Sequence, residues 1–175
     1  MFWVVNIALI SIIIFLLFLL TMVWPPDSPW SPWWRTNKEV AKAAGKLAKI
    51  SSRDVVYELG SGDGQFLITA VTDFYVKRAV GIEIDPTRVL VSKLLIKKNK
   101  LEDKIEIIKD NFFNINISSA SVVFVYLVPR ALERILPKLK KELKHGTKIV
   151  SLRYEIKGLK WTEQDKKHKL YLYKI

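Results

Sequence analysis

The run MFWVVNIALISIIIFLLFLLTMVW holds no charged side chain between Phe2 and Trp24, and no other feature limits the chain so sharply. As a helix rising about 1.5 Å per residue it reaches about 35 Å, enough to cross a hydrocarbon core of about 30 Å. A secretory leader would need a basic start and a small-residue cleavage site, whereas Trp24-Pro25-Pro26 closes this run. A core helix would show a polar face, and this one shows none. The reading is a membrane anchor over residues 1–24, with lipid contacting residues 2–24.

Arg35, Lys38, Lys42, Lys46 and Lys49 follow the apolar run and no charged side chain precedes it. Positive charge stays inside, so residues 25–175 are expected on the cytoplasmic side of a single-pass membrane protein. Residues 25–35 form a Pro/Trp-rich juxtamembrane linker whose four prolines exclude a helix and favour an extended spacer. Trp24, Trp30, Trp33 and Trp34 suit either an interfacial aromatic belt or packing on the following domain.

Residues 36–175 suffice for one domain with one core. The absence of cysteine excludes disulfides, thiolate zinc sites and cysteine nucleophiles, and with His145 and His168 as the only histidines no metal is expected. The net charge of +12 lies beyond the anchor, and lysines outnumber arginines 22 to 7. They scatter along helices instead of clustering with aromatics, which describes a solvated surface able to attract anionic headgroups and disfavours nucleic acid as a partner. Nothing in the pattern specifies an oligomer.

Thr36-Asn37-Lys38-Glu39 reads as a capping box opening a helix to about Lys49. Apolar strands are expected over residues 54–59, 78–84, 104–109 and 121–127, with helices over 64 to about 75 and 85 to about 100 between them. Asp85-Pro86 pairs an N-cap with a proline at the first helical position. Pro129 opens a further helix that Pro137 is expected to kink or break between 130 and 144, and that Gly146 ends. Strands over 148–154 and 169–175 close the chain, the last suiting an edge or half-exposed position and able to enter antiparallel. The alternation predicts an α/β, Rossmann-like, mostly parallel sheet with helices on both faces and its ligand beyond the carboxyl ends of the strands.

At such an end stands VVYELGSGDGQFL, with three glycines in five positions. Gly60 permits a sharp turn and Gly62 lets a ligand approach the backbone, while free amides at the helix start attract a carboxylate. A dinucleotide fingerprint, G-x-G-x-x-G/A, would need Gly or Ala where Gln65 stands, and the lysine and hydroxyl of a P-loop are missing.

The pattern ExGxGxG over 58–64, followed by Glu83 at the next strand's end, resembles motifs I and II of class I S-adenosylmethionine-dependent methyltransferases. The resemblance implies S-adenosyl-L-methionine as cofactor. It sets Glu83 on the ribose hydroxyls with Ile84 beside it, Glu58 near the methionine amino group, and Asp110 facing the adenine amino group with Asn111 adjoining and Phe112 over the ring. Gly60, Ser61, Gly62, Asp63 and Gly64 form the loop beneath. A narrower resemblance covers anchor, linker, YELGSGDG, VGIEIDP, VVFVYLVP and LRYEI. It is to the membrane-anchored protein-lysine methyltransferases that modify the adenine nucleotide translocase and the c-ring protein of ATP synthase, and to their prokaryotic relatives. It implies a protein substrate with an accessible lysine, and offers the inner mitochondrial membrane as an alternative location. Tyr126-Leu127-Val128-Pro129 replaces the Asn-Pro-Pro-Tyr of amino-directed nucleic-acid methyltransferases and supplies no general base. Tyr126 and Pro129 are expected in the wall of the substrate channel, unless Tyr126 packs as an ordinary strand residue. Lipid or small-molecule methylation at the bilayer surface, and a tethered module without catalysis, are the alternatives.

Overall fold

The computed structural model describes residues 2–23 and 34–175. Helix α1 (Phe2–Val23) runs unbroken for 22 residues without a charge. Its Ser11 hydroxyl donates to the Ile7 carbonyl at 2.9 Å, which satisfies that polar group within the helix. Among the described residues no helix is long and apolar enough to cross a membrane. The side chains at positions 2, 4, 18 and 20–23 lie outside those residues, so the expected anchor is not supported structurally and rests on the sequence. The linker up to residue 33, with Trp24, Trp30 and Trp33, lies outside them as well.

The domain begins with α2 (Lys38–Leu47) and continues β1 (Val55–Leu59), α3 (Gln65–Phe74), β2 (Arg78–Glu83), α4 (Pro86–Lys98) and β3 (Ile105–Lys109). It then runs β4 (Val122–Val125), α5 (Pro129–Glu142), β5 (Lys148–Leu152), β6 (Glu163–Asp165) and β7 (Leu170–Lys174). The strands form one sheet in the order β3-β2-β1-β4-β5-β7-β6. The first five are parallel, and β7 is antiparallel to both β5 and β6. The order reverses between β1 and β4, the place where an open α/β sheet leaves a crevice.

Alternation along the strands divides the core in two. Val56, Val122 and Phe124 face α2, α3 and α4, where Ala44, Phe66 and Ile96 pack. Tyr57, Leu59, Val123 and Val125 face α5 and the chain after β3, meeting Leu132, Ile135 and Ile117. The Phe66 and Phe124 rings stack with centroids 4.1 Å apart between α3 and β4. Both faces are thus covered by helices, as expected.

Four local expectations change. Thr36 is buried rather than capping, and Asn37 accepts the Val40 amide at 2.8 Å, so α2 starts one residue later; Glu39 reaches Lys167 and His168 instead of back to the cap. Pro137 does not break α5, because it sits on the exposed side where water can serve the carbonyl it leaves unpaired, while Leu132, Ile135 and Leu139 hold the buried stripe. That helix ends at Glu142 through buried Leu143, whose ψ of 138° turns the chain outward before Gly146 is reached. Finally β7 is not an edge: Tyr173 is fully buried, and β6, a three-residue strand, pairs on its outer side.

Candidate active site

The turn after β1 folds back on β2, with the Gly60 and Ser61 amides both donating to the Ile82 carbonyl at 2.9 and 3.1 Å. Gly60, Gly62 and Gly64 take φ of 77°, 53° and 76°, a left-handed region that L side chains adopt only with strain. Gly81, in register with Glu58, has another role: a Cβ there would stand 2.6 Å from both the Ser61 hydroxyl and Leu67 Cδ1. The bare backbone of β2 therefore makes room for the turn.

Glu83 ends β2 and fixes this geometry. Its carboxylate accepts the Gly62 amide at 2.8 Å and the Asp85 amide at 2.9 Å, which leaves further lone pairs toward the cleft. Asp85 accepts the Arg88 amide at 2.9 Å and caps α4, as its place before Pro86 predicts. Glu58 stands at the switch point with its side chain buried. Burial, and then the charges of Asp63 and Glu83, push its carboxyl well above the usual carboxylate range, against the pull of the Leu67 amide. Its Oε2 and the Ser61 hydroxyl are buried without a hydrogen-bond partner. Two orphaned polar atoms at the wall of a cleft fit a ligand that brings an ammonium group, which is the methionine end of S-adenosylmethionine.

The cleft encloses about 1000 Å³, part of it open solvent. Of the residues expected from sequence, Glu58, Gly60, Ser61, Gly62, Asp63, Glu83, Ile84, Asn111, Phe112 and Tyr126 line it. Three do not. Gly64 is the backbone N-cap of α3, and Pro129 is the exposed first residue of α5. Asp110 is engaged in its own loop through one carboxylate oxygen, Oδ1, which accepts the Asn111 amide at 2.6 Å and the Asn114 side chain at 2.9 Å. Asp63 lines the cleft with its charge engaged, since Arg35 Nε lies 2.6 Å from it.

Other lining residues carry weaker sequence signals. Phe113 adjoins Phe112 at 4.8 Å between ring centroids, and the Arg134 guanidinium lies 5.4 Å from the Phe113 centroid. Arg88 lines the cleft one turn into α4, where burial pulls its guanidinium down against the opposing charges of Asp85 and Glu83. Trp34 and Thr36 close the opposite rim from the segment before α2. Arg153 reaches the same rim: it donates to the Tyr126 hydroxyl at 3.4 Å and lies 5.8 Å from the Trp34 ring centroid. Among the described residues no cluster of His, Cys, Asp and Glu is suited to a metal ion.

Comparison with known proteins agrees with this geometry. A family model described as the ANTKMT methyltransferase domain matches residues 58–163. A protein-lysine N-methyltransferase of Saccharolobus islandicus is 42% identical over 146 residues, covering 80% of this chain and 91% of that protein. The Xenopus laevis lysine N-methyltransferase of the ATP synthase C-subunit is 24% identical over 59% of this chain, which spans 45% of that protein. Among solved structures, an RNA methyltransferase from Salinibacter ruber in complex with S-adenosyl-L-homocysteine superposes with a TM-score of 0.78 at 33% identity, covering 81% of this chain and 94% of that one.

Proposed function

The chain belongs to the ANTKMT methyltransferase family and is an S-adenosylmethionine-dependent methyltransferase, and from that premise we propose that it methylates lysine side chains of a membrane or membrane-proximal protein. The observation that carries the lysine reading is the 42% identity to a protein-lysine N-methyltransferase along nearly the whole of that protein. The cofactor supplies a methyl group on a sulfonium, a leaving group that needs no acid. Glu58 would hold its ammonium end, Glu83 its ribose and Phe112 its base, while the amides of Gly60, Ser61, Gly62 and Gly64 are already spent on the Ile82 carbonyl, the Glu83 carboxylate and the Ser61 carbonyl. What remains for the protein is alignment, exclusion of water and a neutral amine, and alignment alone can contribute effective molarities of about 10⁵ M or more. Tyr126, at the end of β4, walls the opening through which the amine arrives.

The membrane part of the proposal rests on the uncharged run over residues 1–24 and on tether length. Eleven steps separate Val23 from Trp34, each spanning at most about 3.6 Å, so the rim of the cleft lies within about 40 Å of the end of α1. A target lysine close to the bilayer surface is within that reach. The lysines and arginine that follow the uncharged run support a cytoplasmic domain by the positive-inside rule, and protection of the domain from protease in inside-out vesicles would contradict this.

The test is transfer of labelled methyl groups from S-adenosylmethionine into membrane fractions. Label in protein digests that maps to lysine supports the proposal, and label in the lipid extract favours the bilayer-surface alternative. Label in RNA favours the second reading raised by the Salinibacter relative, against which stands the Tyr-Leu-Val-Pro sequence at 126–129. Binding of S-adenosylhomocysteine without transfer to any fraction would indicate a tethered module.

A further inference from the structure

Beside the cofactor cleft lies a second, shallower groove that shares Thr36 and Tyr126 with it. Its titratable lining other than Tyr126 is cationic or convertible to cationic: Arg35, Arg153, His168 and Lys169, over a floor containing Leu152 and Val40. The nearby carboxylates are already engaged. Asp63 holds Arg35, Asp165 holds His168 at 2.6 Å, and Glu39 binds Lys167 and His168 at 2.9 and 3.2 Å. Among the described residues neither Arg153 nor Lys169 has a carboxylate at ion-pair distance.

These two residues face one another where the β5–β7 ladder ends. The Arg153 amide donates to the Lys169 carbonyl at 2.7 Å, and both residues take left-handed backbone conformations, φ 71° and 55°. A left-handed arginine opposite a left-handed lysine carries a conformational cost that glycine would avoid, and such outliers concentrate at sites where side-chain direction matters. Here both side chains line the groove that leads to Tyr126.

We propose that this groove recognises an Asp or Glu side chain near the target lysine of the protein substrate, and that Arg153 and Lys169 determine this specificity. The inference rests on the reading of the enzyme as a protein-lysine methyltransferase. It resolves a charge problem at the mouth of the site: an incoming lysine approaches Arg153 as a like charge, which disfavours docking but also favours the neutral amine that reacts. An acidic neighbour on the substrate pairs with Arg153 and Lys169 and offsets that repulsion during docking.

The experiment uses the full chain in detergent with S-adenosylmethionine and synthetic peptides carrying one lysine in a Gly/Ser background, with a single Asp walked from four positions before it to four after. The wild type is expected to show kcat/KM raised roughly tenfold by Asp at one or two positions. Arg153→Glu combined with Lys169→Glu is expected to reverse that preference toward peptides carrying Arg there, with S-adenosylhomocysteine affinity unchanged by calorimetry. Arg153→Gly, which suits the backbone, is expected to hold or raise the melting temperature while flattening the Asp profile. A flat profile in the wild type, or a preference that survives the double reversal, overturns the proposal. Bound S-adenosylhomocysteine with no methylation of any peptide overturns the lysine reading, and this inference with it.

Discussion

The two halves of the site carry opposite charge and are held in place by different means. On the side of β1 and β2 the titratable groups Glu58, Glu83 and Asp63 are all carboxyl groups and all buried, and Glu83 is tied to the glycine turn by the Gly62 and Asp85 amides. On the side of β5 and β7, Arg153 and Lys169 are exposed cations set by two left-handed backbone positions. One half is complementary to a cationic small molecule, the other to an anionic stretch of macromolecule, and Tyr126 stands between them. A buried site can afford unsatisfied atoms only if a ligand completes them, whereas an exposed one can wait in water.

The contrast is broken most directly at Glu83. Replacing it with alanine removes two hydrogen bonds of the turn together with the acceptor proposed for the ribose, and affinity for S-adenosylhomocysteine should fall by about 1.5–3 kcal/mol, roughly 10- to 150-fold. Calorimetry that returned wild-type affinity would remove the anionic half from the binding scheme. Gly81→Ala acts on the same half through shape. Its methyl collides with the Ser61 hydroxyl and Leu67, and overpacking of this kind should cost about 1–3 kcal/mol of stability in denaturant unfolding. Unchanged stability would show the turn to be adaptable.

Glu58→Gln sharpens the comparison because it separates stability from binding. In the ligand-free fold the Glu58 carboxyl keeps its proton above the pH near 4.5 at which an unfolded glutamate ionises. The unfolded chain therefore binds fewer protons over that window, so stability falls as pH rises from about 4.5 until the folded group ionises, and is level beyond. The glutamine variant should lose that slope and melt higher near neutral pH, while binding S-adenosylhomocysteine more weakly. Wild-type affinity for the cofactor should rise over the same window, as the ammonium end displaces the proton. Melting curves of wild type and variant that keep the same pH slope would refute the assignment. The smallest effect belongs to Arg35→Ala: the arginine is largely exposed, and loss of its contact with Asp63 should change stability by less than about 1 kcal/mol. A larger loss would mark the segment before α2 as a structural clamp on the glycine turn.

The cofactor half was legible in the sequence because its signals are local. A strand, three glycines, a helix and an acid at the next strand's end all lie within 29 residues, from 55 to 83, and each has a backbone reason to be where it is. Asp110 was less legible because an acid after a strand serves equally well as a loop cap, and its Oδ1 accepts from Asn111 and Asn114. The second half depends on long-range pairing. Glu163-Gln164-Asp165 has no apolar alternation to mark it as a strand, and becomes one because β7 offers it a partner. The arrival of Trp34 and Thr36 at the rim likewise depends on how the chain returns over the sheet, which no spacing encodes. Pro137 shows the same limit inside a helix, where exposure rather than residue type decides whether a proline interrupts it.

The insertion of β7 between β5 and β6 imposes an order of assembly. Among the described residues strand β6 has no other neighbour in the sheet, so it cannot pair until the residues 170–174 that follow it have been made. A nascent chain halted before Leu170 already contains the strands and turn that grip the nucleoside, yet lacks the ladder whose end presents Arg153 and Lys169. The enzyme would thus acquire its reagent site during synthesis before it can sort among acceptors, and early cofactor capture could stabilise the half-built sheet while the rest emerges.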